Sequence, residues 1–133
     1  MNATSSARSV ASPSRALSLT LPVPPSANRY WRIYRNRAVK SAEARAYQNR
    51  VGWLTRSAFE YRSMCPFPSE SVKLTVRWYR GAKMGDLSNR IKVVEDALQG
   101  FAYVNDSQVV ELHAYRFEDK ANPRVEVTVE VFA

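Results

Sequence analysis

Apolar and polar residues alternate over Leu17–Leu21 and again over Val72–Tyr79, which predicts two strands with one buried face each. Pro22, Pro24 and Pro25 stop the first of them. Tyr30–Tyr34 and Arg37–Lys40 are aromatic or β-prone and predict a ribbon turning at Asn36. The spacing then changes to three and four. Behind Ser41, a good N-cap, Ala46, Val51, Leu54 and Ala58 predict a helix over Ala42–Arg62, ended by Pro66 and Pro68. Ile91, Val94 and Leu98 predict a second helix over Leu87–Leu98, with Gly100 placed as its C-terminal glycine. Val109–Phe117 and Arg124–Phe132 predict two closing strands joined at Lys120-Ala121-Asn122-Pro123. The order β-β-β-α-β-α-β-β predicts an α+β fold, a mixed sheet packed with two main helices. Trp53, Leu54 and Trp78 are expected in its core.

The 133 residues suit one domain. Residues 1–16, rich in Ser, Ala and Arg and free of acids, are expected to form a flexible basic arm, leaving residues 17–133 as the folded unit. No run of 18 apolar residues is present, so no membrane helix is expected and the protein is read as cytoplasmic. The lone Cys65 excludes a disulfide framework, and the lone His113, placed in a strand, excludes a multi-histidine metal site. The net charge of +8 is unevenly spread. Residues 1–66 carry +9, and residues 67–133 carry −1 with ten of the twelve acids. A basic half beside a carboxylate-bearing half suits a protein that neutralises phosphate with one part and holds a metal ion with the other. Arg29, Trp31, Arg32, Tyr34, Arg35 and Arg37 interleave cations with rings. That pattern suits phosphate pairing and stacking on unpaired bases, although rings of this kind also fill half-buried strands.

Gly85–Gln108 concentrates Asp86, Glu95, Asp96 and Asp106 around Lys92. Mg²⁺ prefers oxygen ligands and is held by one or two carboxylates together with substrate phosphate. Asp86 at a strand–helix junction and Asp106 in the loop after the helix are placed to converge on such an ion, with Lys92 facing the phosphate or the leaving oxygen. The same residues also read as a helix cap, a surface Lys92–Glu95 pair and a turn former.

Leu21-Pro22-Val23-Pro24-Pro25-Ser26-Ala27-Asn28-Arg29-Tyr30-Trp31-Arg32 opens a set of motifs that recur in order along the chain. Ser41-Ala42-Glu43 with Tyr47 follows, then Gly85-Asp86-Leu87-Ser88-Asn89-Arg90-Ile91-Lys92, Asp96-Ala97-Leu98 and Asn105-Asp106-Ser107-Gln108-Val109-Val110. Together they resemble the RusA family of Holliday-junction resolvases. The resemblance implies a small homodimeric, Mg²⁺-dependent endonuclease, with Mn²⁺ as a substitute, that makes paired incisions in four-way DNA junctions. It implies metal binding at Asp86, Ser88 and Asp106 and catalysis by Asp86, Asp106 and Lys92. Asn89 matches a family asparagine. It is expected to meet DNA together with Arg29, Arg32, Arg35, Arg37, Lys83 and Arg90. Ser88 stands where the family pattern carries an aspartate, which removes one negative charge. Glu95, two helical turns further on and pointing back toward the N-terminus, is the candidate to replace it. Two other readings accompany this one: a junction-binding protein with a weakened site, and a small basic RNA-binding protein.

Overall fold

The structure, a computed structural model, describes residues 15–81 and 85–132. The expectation for Lys83, and that for the arm up to residue 14, lie outside these. The elements are β1 (Ala16–Leu21), α1 (Ala27–Tyr30), β2 (Trp31–Tyr34), β3 (Arg37–Lys40), α2 (Ala42–Tyr61), β4 (Val72–Arg80), α3 (Leu87–Leu98), β5 (Val109–Glu118) and β6 (Arg124–Val131). A short 3₁₀ turn, Asp106–Gln108, precedes β5.

Four strands form one mixed sheet in the order β1-β6-β4-β5. β4 pairs antiparallel with β6 and parallel with β5, as a strand–helix–strand crossover through α3 requires. One face of the sheet is apolar. Leu74, Val76 and Trp78 stand opposite Val129, Val127 and Val125, and Leu17 and Leu21 extend the layer across β1. All of these side chains are buried beneath the helices. The other face carries Thr75, Arg77, Tyr79, Glu126 and Thr128, and no helix among the described residues buries it. The alternation that predicts β4 is therefore the signature of a sheet covered on one side.

The ribbon forms as expected, but as a separate two-stranded hairpin. Arg35 and Asn36 occupy its turn with φ of 52° and 61°, the left-handed pair that matches strand twist. Two expectations are corrected. Tyr30 does not begin the strand. It ends the single turn α1, fully buried, with its hydroxyl on Asp96 at 2.6 Å. Trp53 is not core; it is 63% exposed. The buried stripe of α2 is Ala44, Tyr47, Val51, Thr55 and Phe59, so Trp53 lies about 200° around the helix from Val51 and points outward. Ala46 is exposed for the same reason, while Leu54 and Ala58 flank the stripe.

Candidate active site

Helix α3 positions most of the candidate residues. Asp86 is its N-cap, and the carboxylate accepts a hydrogen bond from the Asn89 amide at 3.1 Å. Ser88, Lys92 and Glu95 follow at spacings of four and three, so they share one stripe. They line a pocket of about 230 Å³ with Leu87, Ile91 and the β5 residues Leu112 and Ala114. Beyond the helix, Gly100 adopts φ of 92° and its amide meets the Tyr103 carbonyl at 2.7 Å. The chain turns back there, and the Tyr103 hydroxyl donates to the Glu95 carbonyl at 2.7 Å.

Asp106 is fixed through its backbone. Asn105 and Gln108 form a capping box around the 3₁₀ turn, and the Asp106 amide donates to Gln99 Oε1 at 3.3 Å. Gln108 Nε2 ties the same turn to the Phe67 and Glu70 carbonyls, each at 3.0 Å. Gln99, Tyr103 and Gln108 are structural supports of the α3–Asp106 turn that the sequence reading did not single out. The Asn105-x-x-Gln108 spacing is the signal that points to the capping box.

The structure brings Glu95 and Asp106 within electrostatic reach of each other. Burial, and then the neighbouring Asp106 charge, push the Glu95 carboxyl above its ordinary value. Neither carboxylate, nor Lys92, forms an ion pair among the described residues. The surface Lys92–Glu95 bridge is thus absent. Asp86 does not join them. It caps the N-terminus of the helix, nine residues and about 13 Å along the axis from Glu95, and the charged side chain beside it is Arg90. Asp96 is structural, holding the Tyr30 hydroxyl and Lys40 Nζ, the latter at 3.2 Å. Among the described residues, no three His, Cys, Asp or Glu side chains gather as a metal cage.

The cationic residues divide into two groups. Arg32, Arg35 and Arg37 are exposed on the β2–β3 hairpin beside Trp31, Ile33 and Tyr34, and have no ion-pair partner among the described residues. Arg29 bridges Glu43 at 3.1 Å. Arg29 also lines a cleft of about 580 Å³ with Pro24, Pro25, Arg50 and Arg90, next to Gly85. Arg90 is half-buried there. Its guanidinium lies over the Trp78 ring and donates to the Pro24 carbonyl. Desolvation and the Arg29 charge lower its pKa. Asn89 is half-buried in the first turn of α3, its amide spent on the Asp86 cap.

Residues 22–130 match the family described as Endodeoxyribonuclease RusA. The chain belongs to the RusA family. It is 33% identical over 115 residues to "Crossover junction endodeoxyribonuclease RusA" of Escherichia coli (strain K12), covering 84% of this chain and 92% of that protein. The RusA relative of Enterobacteria phage 82 matches at the same identity over 84% of this chain and 91% of its own length. The match reaches from the proline segment after β1 nearly to the end of β6. It therefore includes the hairpin, α3 and the Asp106 turn, all that positions the RusA candidate residues.

Proposed function

We propose that the chain is a divalent-metal-dependent endonuclease that resolves four-way DNA junctions by paired hydrolysis of phosphodiester bonds. The observation that carries this reading is the Glu95–Asp106 pair. Glu95 lines the pocket, and burial together with the Asp106 charge raises its pKa, with no cation paired to either carboxylate among the described residues. That donor set fits Mg²⁺ or Mn²⁺, which takes oxygen ligands and completes its shell with water and phosphate. Such an ion, when bound, supplies charge neutralisation and an acidified water. Glu95 and Asp106 would hold it, with the Ser88 hydroxyl on the same stripe able to bond to its water. Lys92, on that stripe and without an ion-pair partner among the described residues, would face the phosphate and stabilise charge on the leaving oxygen. The hairpin arginines would grip the backbone of a junction arm, with Trp31 and Tyr34 beside them to stack on unpaired bases. The names of the relatives support the substrate class.

A synthetic four-way junction incubated with Mg²⁺, and in parallel with EDTA, tests the proposal. Paired nicks that need the metal are expected, and an intact junction with both Mg²⁺ and Mn²⁺ would overturn it. A second reading, junction binding without cleavage, draws on Ser88 standing where the family pattern has a carboxylate. Binding of the uncut junction, with cleavage gained on Ser88→Asp, would be its result.

A further inference from the structure

The cleft of about 580 Å³ shares no residue with the pocket of Ser88, Lys92 and Glu95. One wall is the proline segment after β1. The other is a stripe of α2 in which Glu43, Ala46, Tyr47 and Arg50 recur at helical spacing. Both walls are held in place by the protein itself. The Tyr47 hydroxyl donates to the Pro22 carbonyl at 2.9 Å, and Arg90 donates to the Pro24 carbonyl. At one end Gly85, with φ of 83°, brings the main chain so close to Arg90 that a Cβ there would meet the guanidinium at 3.2 Å. The next residue is Asp86, so the cleft opens beside the N-terminal turn of α3.

Charge and size together describe an occupant. Three guanidinium groups, of Arg29, Arg50 and Arg90, line the cleft with one carboxylate, Glu43, which is paired to Arg29. Arg50, which the sequence reading did not single out, has no ion-pair partner among the described residues, and neither has Arg90. The Arg90 Nε is buried without a hydrogen-bond partner, and burial, then the Arg29 charge, lower the pKa of the group. A phosphate would offset both the crowding of cations and the unpaired donor. A phosphate alone needs only a corner of this space. Clefts of about 300–1,000 Å³ take whole organic ligands, and apolar walls hold their flat or aliphatic parts. Here those walls are Pro22, Val23, Pro25 and Ala46, surfaces against which a base can stack. A phosphate joined to a base is a nucleotide. The stacked pairs of a duplex arm are too wide to enter, whereas a branch point offers nucleotides whose unstacking costs little.

We propose that the cleft between the proline segment and α2 takes up one unpaired nucleotide of the branch, with its phosphate on Arg50 and Arg90 and its base against the proline wall. The inference rests on the junction-nuclease reading for its substrate, but the cleft is tested without it. Amide NMR shifts of the full chain, titrated with deoxyadenosine 5′-monophosphate and separately with inorganic phosphate, read the cleft alone. The nucleotide should shift Ala46, Tyr47 and Gly85 and bind more tightly than phosphate. Arg50→Ala should weaken it about tenfold. Ala46→Leu narrows the cleft at an exposed helical position without touching a charge. It should fold like the parent by circular dichroism, lose the nucleotide and keep phosphate. No shifts at these residues, or phosphate bound as tightly as the nucleotide, would overturn the proposal.

The second arm uses a four-way junction carrying 2-aminopurine at the branch, in EDTA. Its fluorescence should rise on binding the parent and stay unchanged with Ala46→Leu, while anisotropy shows both proteins bound. An equal rise with both would overturn the uptake. A parent that takes the mononucleotide yet binds no junction, or brightens the junction yet never cuts it with Mg²⁺ or Mn²⁺, would keep the nucleotide site and remove the nuclease reading.

Discussion

Asp86 has two physical roles available, and they can be separated because Asn caps a helix about as well as Asp does. Asp86→Asn keeps an acceptor for the Asn89 amide and removes only the charge, whereas Asp86→Ala removes both. Thermal melts should place Asp86→Asn within about 0.5 kcal/mol of the parent and Asp86→Ala about 1 kcal/mol below it. Both should lose junction cleavage if the charge serves the metal. Full cleavage by Asp86→Asn would reduce Asp86 to a cap. Glu95→Gln and Asp106→Asn each delete one of the two repelling carboxylates, and Lys92→Ala deletes the nearby cation. A loss of about 10²–10³-fold in cleavage rate is expected for each, with junction binding retained. Ser88→Asp probes the same balance from the other side. With Glu95 already supplying the charge, a third carboxylate should leave the Mg²⁺ requirement almost unchanged rather than lower it.

Elements built on a clean period were legible in the sequence, and those built on tertiary contact were not. β4 and α3 announce themselves by alternation and by three–four spacing, and their observed bounds agree with the expected ones to within a residue. α1 has no such signal. It is one turn long, and Tyr30 ends it because its ring enters the core while its hydroxyl reaches Asp96, 66 residues away. The phase of α2 was misjudged because Ala46, Leu54 and Ala58 offer one apolar path while Tyr47, Thr55 and Phe59 supply the buried one. Only the partner surface chooses between them. In the site, Lys92 and Glu95 were legible as a shared helical stripe, but the nearness of Glu95 to Asp106 depends on how the Tyr103 and Gln108 contacts turn the loop. Ser41 tests the weight of local signals. Its hydroxyl accepts from the Ala44 amide at 3.0 Å and donates to the Arg29 carbonyl at 2.7 Å, joining α2 to α1. Ser41→Ala should cost about 1–2 kcal/mol in denaturant unfolding, and Trp53→Ala under about 0.5 kcal/mol. The β5–β6 turn gives an acid-sensitive test. Arg124 at 2.9 Å, helped by the Asn122 amide, lowers the Asp119 pKa in the folded state. A lowered folded value adds stability above the unfolded pKa, and that stability is lost as pH falls through the folded one. Asp119→Asn should therefore narrow the difference in melting temperature between pH 6 and pH 3.

Across the whole molecule the charges are sorted by what they are paired with. The sheet side holds most of its cations internally: Lys73 pairs with Glu130, Arg124 with Asp119 and Glu126, and Arg116 with Glu118, while Arg77 lies over the Tyr115 ring. The hairpin pairs only Lys40, with Asp96, while Arg32, Arg35 and Arg37 project from the two-stranded ribbon with no ion-pair partner among the described residues. Unpaired surface arginines release counterions when they meet phosphate, and each such contact steepens the salt dependence of binding by about 0.9 in log–log slope. Replacing all three with Ala should flatten the slope for junction binding by about two to three, equally for junctions of different sequence, because phosphate contacts carry no base information. Replacing Arg77 and Arg116 on the sheet side should leave that slope unchanged. Fluorescence anisotropy from 50 to 300 mM salt measures both. If the hairpin variant kept the parental slope while the sheet variant lost it, DNA would lie against the open sheet. The unpaired arginines of the hairpin would then cease to explain how so small a chain could meet phosphate.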